Sequence, residues 1–198
     1  MGSYYYLVSQ LPFLAFGQKP PMTSGQFREL AMPLLSKADA ALLSALQIDP
    51  QPLNGKSGFS YTEDTPSSGS GFIDAWRNWE RCFRLNLARL RFSRVKREGA
   101  APVEAPGFPI DAAALAAKAM QESPLDAENL IDRARWDAIE GMQGINYFHR
   151  NVIFAYLLKL MILERQASFQ AETGFSEYQS LYASILEQSG TFTAGDFK

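Results

Sequence analysis

Cysteine and histidine are almost absent from this chain: Cys82 and His149 are the single representatives of their types among 198 residues. One cysteine excludes an internal disulfide framework and suits a reducing compartment. His149 has no Cys, His or carboxylate cluster at ligand spacing around it, so neither a metal centre nor a catalytic histidine is expected. No apolar run reaches the roughly 20 residues that span a bilayer. The opening segment from Met1 lacks the basic stretch of a secretory signal, and Tyr6 stands where a myristoylation pattern needs Ser or Thr. Gly55-Lys56-Ser57 has Pro50 in place of the first glycine of a phosphate-binding loop. The net charge of -2 offers no global attraction to nucleic acid or anionic lipid. These absences predict a cytoplasmic protein without metal, cofactor or catalytic residues, not inserted in a membrane.

What the chain does contain is helix. With 46% hydrophobic and 20% charged residues it has the composition of a globular domain. No alternating strand pattern and no solenoid repeat is visible, so the expected class is all-α. The spacing predicts about six helices in a single domain, 1–198, divisible into lobes 1–98 and 110–198 around a Pro/Gly linker at 99–109. Phe27, Leu30, Leu34, Leu35, Ala38, Leu42 and Leu46 mark a helix over 24–47 that Pro33 should kink or divide. Residues 49–71 read as a mobile loop, rich in Pro, Gly, Ser and Asn. A helix follows over 72–97, then a short alanine-rich one over 111–121. Ser123-Pro124 is a start signal for the next, which ends near Gly141 to Gly144. Val152 to Leu163 is apolar apart from Lys159, so a long buried helix over 146–172 should form the centre. A last amphipathic helix is expected over 176–188.

Two helices carry most of the chemistry. At about 100° per residue, Phe72, Trp76, Trp79, Phe83, Leu87 and Leu90 form one stripe of the helix over 72–97. Arg77, Arg81, Arg84 and Arg91 share a different face. That face reads either as solvated or as a ridge that meets an acidic protein surface. The aromatics lie away from the arginines, unlike a base-stacking platform. On the helix after Ser123, Glu128, Asp132, Arg135 and Asp137 suggest an ion-pair network, with Leu125, Leu130, Ala134, Ile139 and Met142 on its buried side. Lys159 should snorkel or pair with a carboxylate such as Asp132 or Asp137 from the preceding helix.

Tyr4-Tyr5-Tyr6-Leu7-Val8 with Leu11-Pro12, Trp76 to Glu80, Leu87 to Arg91, and Ala155 to Arg165 resemble a family of domains of unknown function. Members of that family are encoded in V-type (A/V-type) ATPase operons of certain bacteria. More distantly, the run Asn129 to Trp136 is similar to the C/d-type component of archaeal-type and eukaryotic V-ATPases, an all-helical socket between rotor shaft and membrane ring. The resemblance implies a non-enzymatic component or assembly factor, peripheral at the inner face of the membrane, with V-type ATPase subunits as partners. Arg77, Arg81, Arg84 and Arg91 are then the expected contacts, and Asp132, Arg133 and Arg135 a second exposed patch. Two rival readings stand beside it. One is a small-molecule-binding or enzymatic domain with a pocket at His149, Tyr156 and Lys159. The other is a nucleic-acid-binding module using the basic helix over 77–97. Oligomeric state is not legible.

Overall fold

The computed structural model describes residues 4–48, 67–95, 107 and 110–168. Among these the secondary structure is helical, with no strand, as the pattern predicts. The helices are α1 (Tyr5–Ser9), α2 (Ser24–Ala31), α3 (Lys37–Ala45), α4 (Gly71–Val95), α5 (Ile110–Ala119), α6 (Pro124–Gln143) and α7 (Arg150–Ser168). Residues 49–66 of the loop expected over 49–71, most of the linker at 99–109, the extension of the central helix to 172 and the helix over 176–188 lie outside the described residues.

Local sequence explains most of the boundaries. Thr23 opens α2 with a capping box: its hydroxyl accepts from the Gln26 amide, and the Gln26 side chain accepts from the Thr23 amide. Pro33 divides the first predicted helix, because proline cannot donate to the preceding turn. The chain passes through a 3-10 turn at Met32–Leu34 and restarts at α3, capped by Ser36. Ser123 caps α6 and accepts from the Asp126 amide, with Pro124 in the first turn. Gly144 ends α6 at φ 79° and ψ -177°, a backbone region that is almost exclusive to glycine.

α7 is enclosed. Ile153 to Leu158, Leu160, Ile162 and Leu163 are all buried. Helices α6, α2 and α3 pack along it, and Phe72 of α4 meets Phe154 with ring centroids 6.4 Å apart. The Ser24 amide donates to Glu164, which ties the start of α2 to the far end of α7. Along the other flank α4 packs on α5 and α6. One hydrophobic cluster therefore draws on residues from Leu7 to Leu163. Before the described part of α4, Ser67 and the Ser68 amide both donate to Asp74, which fixes the entry angle of that helix.

Candidate functional site

The two faces of α4 separate as the wheel predicts. Phe72, Trp76, Trp79 and Phe83 are buried, and Leu87 and Leu90 are partly buried against the same core. Trp76 stacks on Trp79 at 5.9 Å and 12°, and Trp79 on Phe83 at 6.0 Å and 18°. The Trp79 indole N–H donates to Asp111 at 2.9 Å, joining α4 to the first turn of α5. On the arginine face Arg77 and Arg81 are partly exposed and Arg91 is exposed. Among the described residues none of these three enters an ion pair. Arg84 differs from them. Its Nε lies 2.8 Å from Glu80, and its Nη2 approaches the Ile48 carbonyl at 3.5 Å.

The expectation of a second exposed patch at Asp132, Arg133 and Arg135 is corrected. Asp132 is 1% exposed and Arg135 4% exposed, while Arg133 alone is on the surface. The reason is a buried partner on another helix. Glu80 of α4, 5% exposed, accepts from Arg135 Nη2 at 2.7 Å and from its Nε at 3.3 Å. The remaining guanidinium arm donates to Asp132 at 3.1 Å. Asp132 in turn lies 3.9 Å from Arg165 of α7, which also pairs with Glu128. A charged chain thus links α4, α6 and α7 through the interior. Burial would lower the Arg135 pKa, but Glu80 and Asp132 outweigh it and hold the charge firmly. For Asp132 burial wins: its carboxyl is pushed up despite Arg165 and Arg135. Its second oxygen has no hydrogen-bond partner, consistent with that cost.

Sequence reasoning missed Glu80. Its signal was the i,i+4 spacing to Arg84 in a helix dominated by arginine, but nothing in the sequence pointed to Arg135. Arg133 pairs with Asp137 at 3.2 Å and lies over the Phe16 ring at 5.1 Å. Of the expected buried side of α6, Ile139 is buried and Leu130, Ala134 and Met142 are partly so. Leu125, in the first turn of α6, is 49% exposed.

The residues of the rival pocket each have a separate structural partner. Lys159 pairs, as expected, with a carboxylate of the preceding helix, which is Glu140 at 2.9 Å and not Asp132 or Asp137, and it lies 4.9 Å over the Trp136 ring. Asp132 is already held by Arg135, and Asp137 faces Arg133 on the surface. The Tyr156 hydroxyl donates to the Pro12 carbonyl at 2.9 Å, and burial pushes its pKa up to about 12. His149 accepts from the Asn151 amide.

A further cluster, also missed, fastens the first described residues to the start of α7. Asp39 accepts from the Tyr4 hydroxyl, from Ser36 at 2.9 Å and from Arg150 at 3.1 Å. Burial alone would raise the Asp39 pKa, but the hydrogen bonds from Tyr4, Ser36 and Arg150 and the Arg150 charge outweigh it. The folded-state value is therefore depressed. Its contribution is present above the unfolded carboxylate value of about 3.9 and is lost as pH falls through the lower folded value. Tyr4→Phe should narrow that depression, so the variant's urea midpoint should lie below the parent's near neutral pH and fall less between about pH 5 and 2, the two curves drawing together at the acid end. Identical acid limbs for the two proteins would remove the cluster from the stability of the fold.

The fold and these contacts define an all-helical protein with an ion-paired interior and an arginine ridge on its longest described helix. A family model described as a protein of unknown function (DUF2764) matches residues 114–188, which take in most of α5 and all of α6 and α7. No curated protein and no solved structure matches the chain. No described helix is long and apolar enough to cross a membrane.

Proposed function

We propose that this chain is a non-enzymatic docking or assembly component of a bacterial V-type ATPase, in a role like that of the C/d-type socket between rotor shaft and membrane ring. The observation that carries the docking part is the α4 ridge. Arg77, Arg81 and Arg91 stand on a helix whose opposite side is locked into the core by stacked aromatics. Rigidly mounted charges of one sign steer association and select complementary partners. The ATPase part rests on the resemblance of Tyr4 to Pro12, Trp76 to Arg91, Asn129 to Trp136 and Ala155 to Arg165. Asp132 and Arg135 serve this reading as internal braces and Arg133 as the one surface residue of its group.

Reversing Arg77, Arg81 and Arg91 together to glutamate tests the reading. Exposed charge pairs contribute about 0.5 kcal/mol each, so losing three weakens docking about tenfold, and the new repulsion adds to that. Co-purification with ATPase subunits should fall at least that far while the helical circular dichroism stays unchanged. Undiminished co-purification would overturn the proposal.

A further inference from the structure

The row on α4 has a spacing that a solvated face does not require. Arg77, Arg81, Arg84, Ala88 and Arg91 follow one another at intervals of four, three, four and three residues. That alternation keeps the row on one face of α4, where a single neighbouring helix can reach along it. The seam runs about 21 Å along α4 at 1.5 Å per residue. Ala88 interrupts the arginines near its far end with a small side chain, where a second helix axis can approach to about 8–10 Å. The charge supplies the complement: guanidinium forks one helical turn apart match carboxylates one turn apart on a partner.

Other polyanions fit less well. A single-stranded nucleic acid needs exposed aromatics for its bases. Four of the five aromatics of α4, Phe72, Trp76, Trp79 and Phe83, are at most 4% exposed, and the fifth, Phe92, is half-buried, so α4 offers no row of open rings. A bilayer surface needs apolar side chains beside the charges. None of the exposed large hydrophobic residues among the described ones belongs to α4.

We infer that the arginine seam of α4 receives an acidic α-helix of a partner protein, lying along Arg77, Arg81, Ala88 and Arg91. The inference rests on the docking reading above and names the chemistry of the partner. Arg84 stands within the seam but is held by Glu80, so it flanks the contact while bracing the interior.

The test uses the full chain and two labelled alanine-rich helical peptides of equal composition. One carries its glutamates at the same four-three alternation, and the other carries them dispersed around the helix. Fluorescence anisotropy should show about tenfold tighter binding of the aligned peptide, a preference that weakens as salt is raised. Replacing Arg77, Arg81 and Arg91 by glutamate should abolish the preference. Reversing Arg89 and Arg94, which lie off the seam, should preserve it. Equal affinity for the two peptides overturns the inference. So does tighter binding to oligothymidylate or to phosphatidylserine vesicles than to the aligned peptide. Loss of ATPase co-purification in the triple variant without any peptide preference sinks the acidic helix and leaves docking standing. Peptide preference without co-purification upholds the acidic helix and sinks the ATPase assignment.

Discussion

Replacing Arg135 with methionine is expected to lower the stability of the folded chain by about 3–5 kcal/mol, since removing one partner of a buried ion pair strands the other. Glu80 would keep Arg84, and Asp132 would keep the more distant Arg165. Those residual contacts place the effect toward the lower end of the range. Even so the loss is a large share of the roughly 5–15 kcal/mol of an ordinary domain. Asp132→Asn should behave differently. Burial raises the Asp132 pKa, so its ionised form is disfavoured in the fold, and a neutral isostere removes a cost together with an attraction. The sign also sets the pH dependence. A raised folded-state value means that the protonated form is favoured, so Asp132 adds stability as pH falls toward the unfolded carboxylate value and subtracts it above. The asparagine variant should lose that dependence and cost about 1 kcal/mol or less. Urea unfolding measures both, with an unchanged slope as the sign that the folded state is intact. A cost below about 1 kcal/mol for Arg135→Met would mean that water reaches the network, and the buried brace would fall.

The contrast between these residues shows where sequence reading stops. Helix existence was legible, because Ser123-Pro124, Pro33 and the apolar run from Val152 to Leu163 act through neighbours in sequence. The stripe on α4 was legible for the same reason: Trp76, Trp79 and Phe83 are spaced for one side of one helix. Burial of Asp132 and Arg135 was not. An i,i+3 ion pair looks the same on a surface as in an interior, and the partner that decides the matter, Glu80, lies 55 residues away. Which carboxylate of α6 meets Lys159 was hidden for a similar reason. Glu140 lies one turn beyond Asp137 on α6, and the antiparallel register of α6 against α7 sets the choice. Asp39 was invisible because two of its partners, Tyr4 and Arg150, come from 35 and 111 residues away. The arginine seam is a mixed case. Its face was readable, while the engagement of Arg84 and the openness of Arg77, Arg81 and Arg91 needed the packed structure.

Trp76→Ala should cost about 3–5 kcal/mol, the range for deleting a large aromatic from a core that cannot collapse around the gap. Trp76 is 2% exposed and forms the first stacked pair with Trp79. Its loss removes the stacking as well as the buried area, and leaves Trp79 anchored to Asp111 beside a void. Trp76→Phe keeps a ring in place and should cost distinctly less. A surface control separates packing from a general dislike of alanine. Ile145 is 92% exposed, and its replacement should change stability by no more than about 0.5 kcal/mol. The same variants bear on function, because the stripe holds the opposite face of α4 in one orientation. Under conditions where the Trp76→Ala protein is still folded, a loosened α4 should blunt the preference for the aligned acidic helix, although every arginine remains. Full retention of that preference, alongside the full stability loss, would show that the seam acts through charge spacing alone and needs no rigid backing.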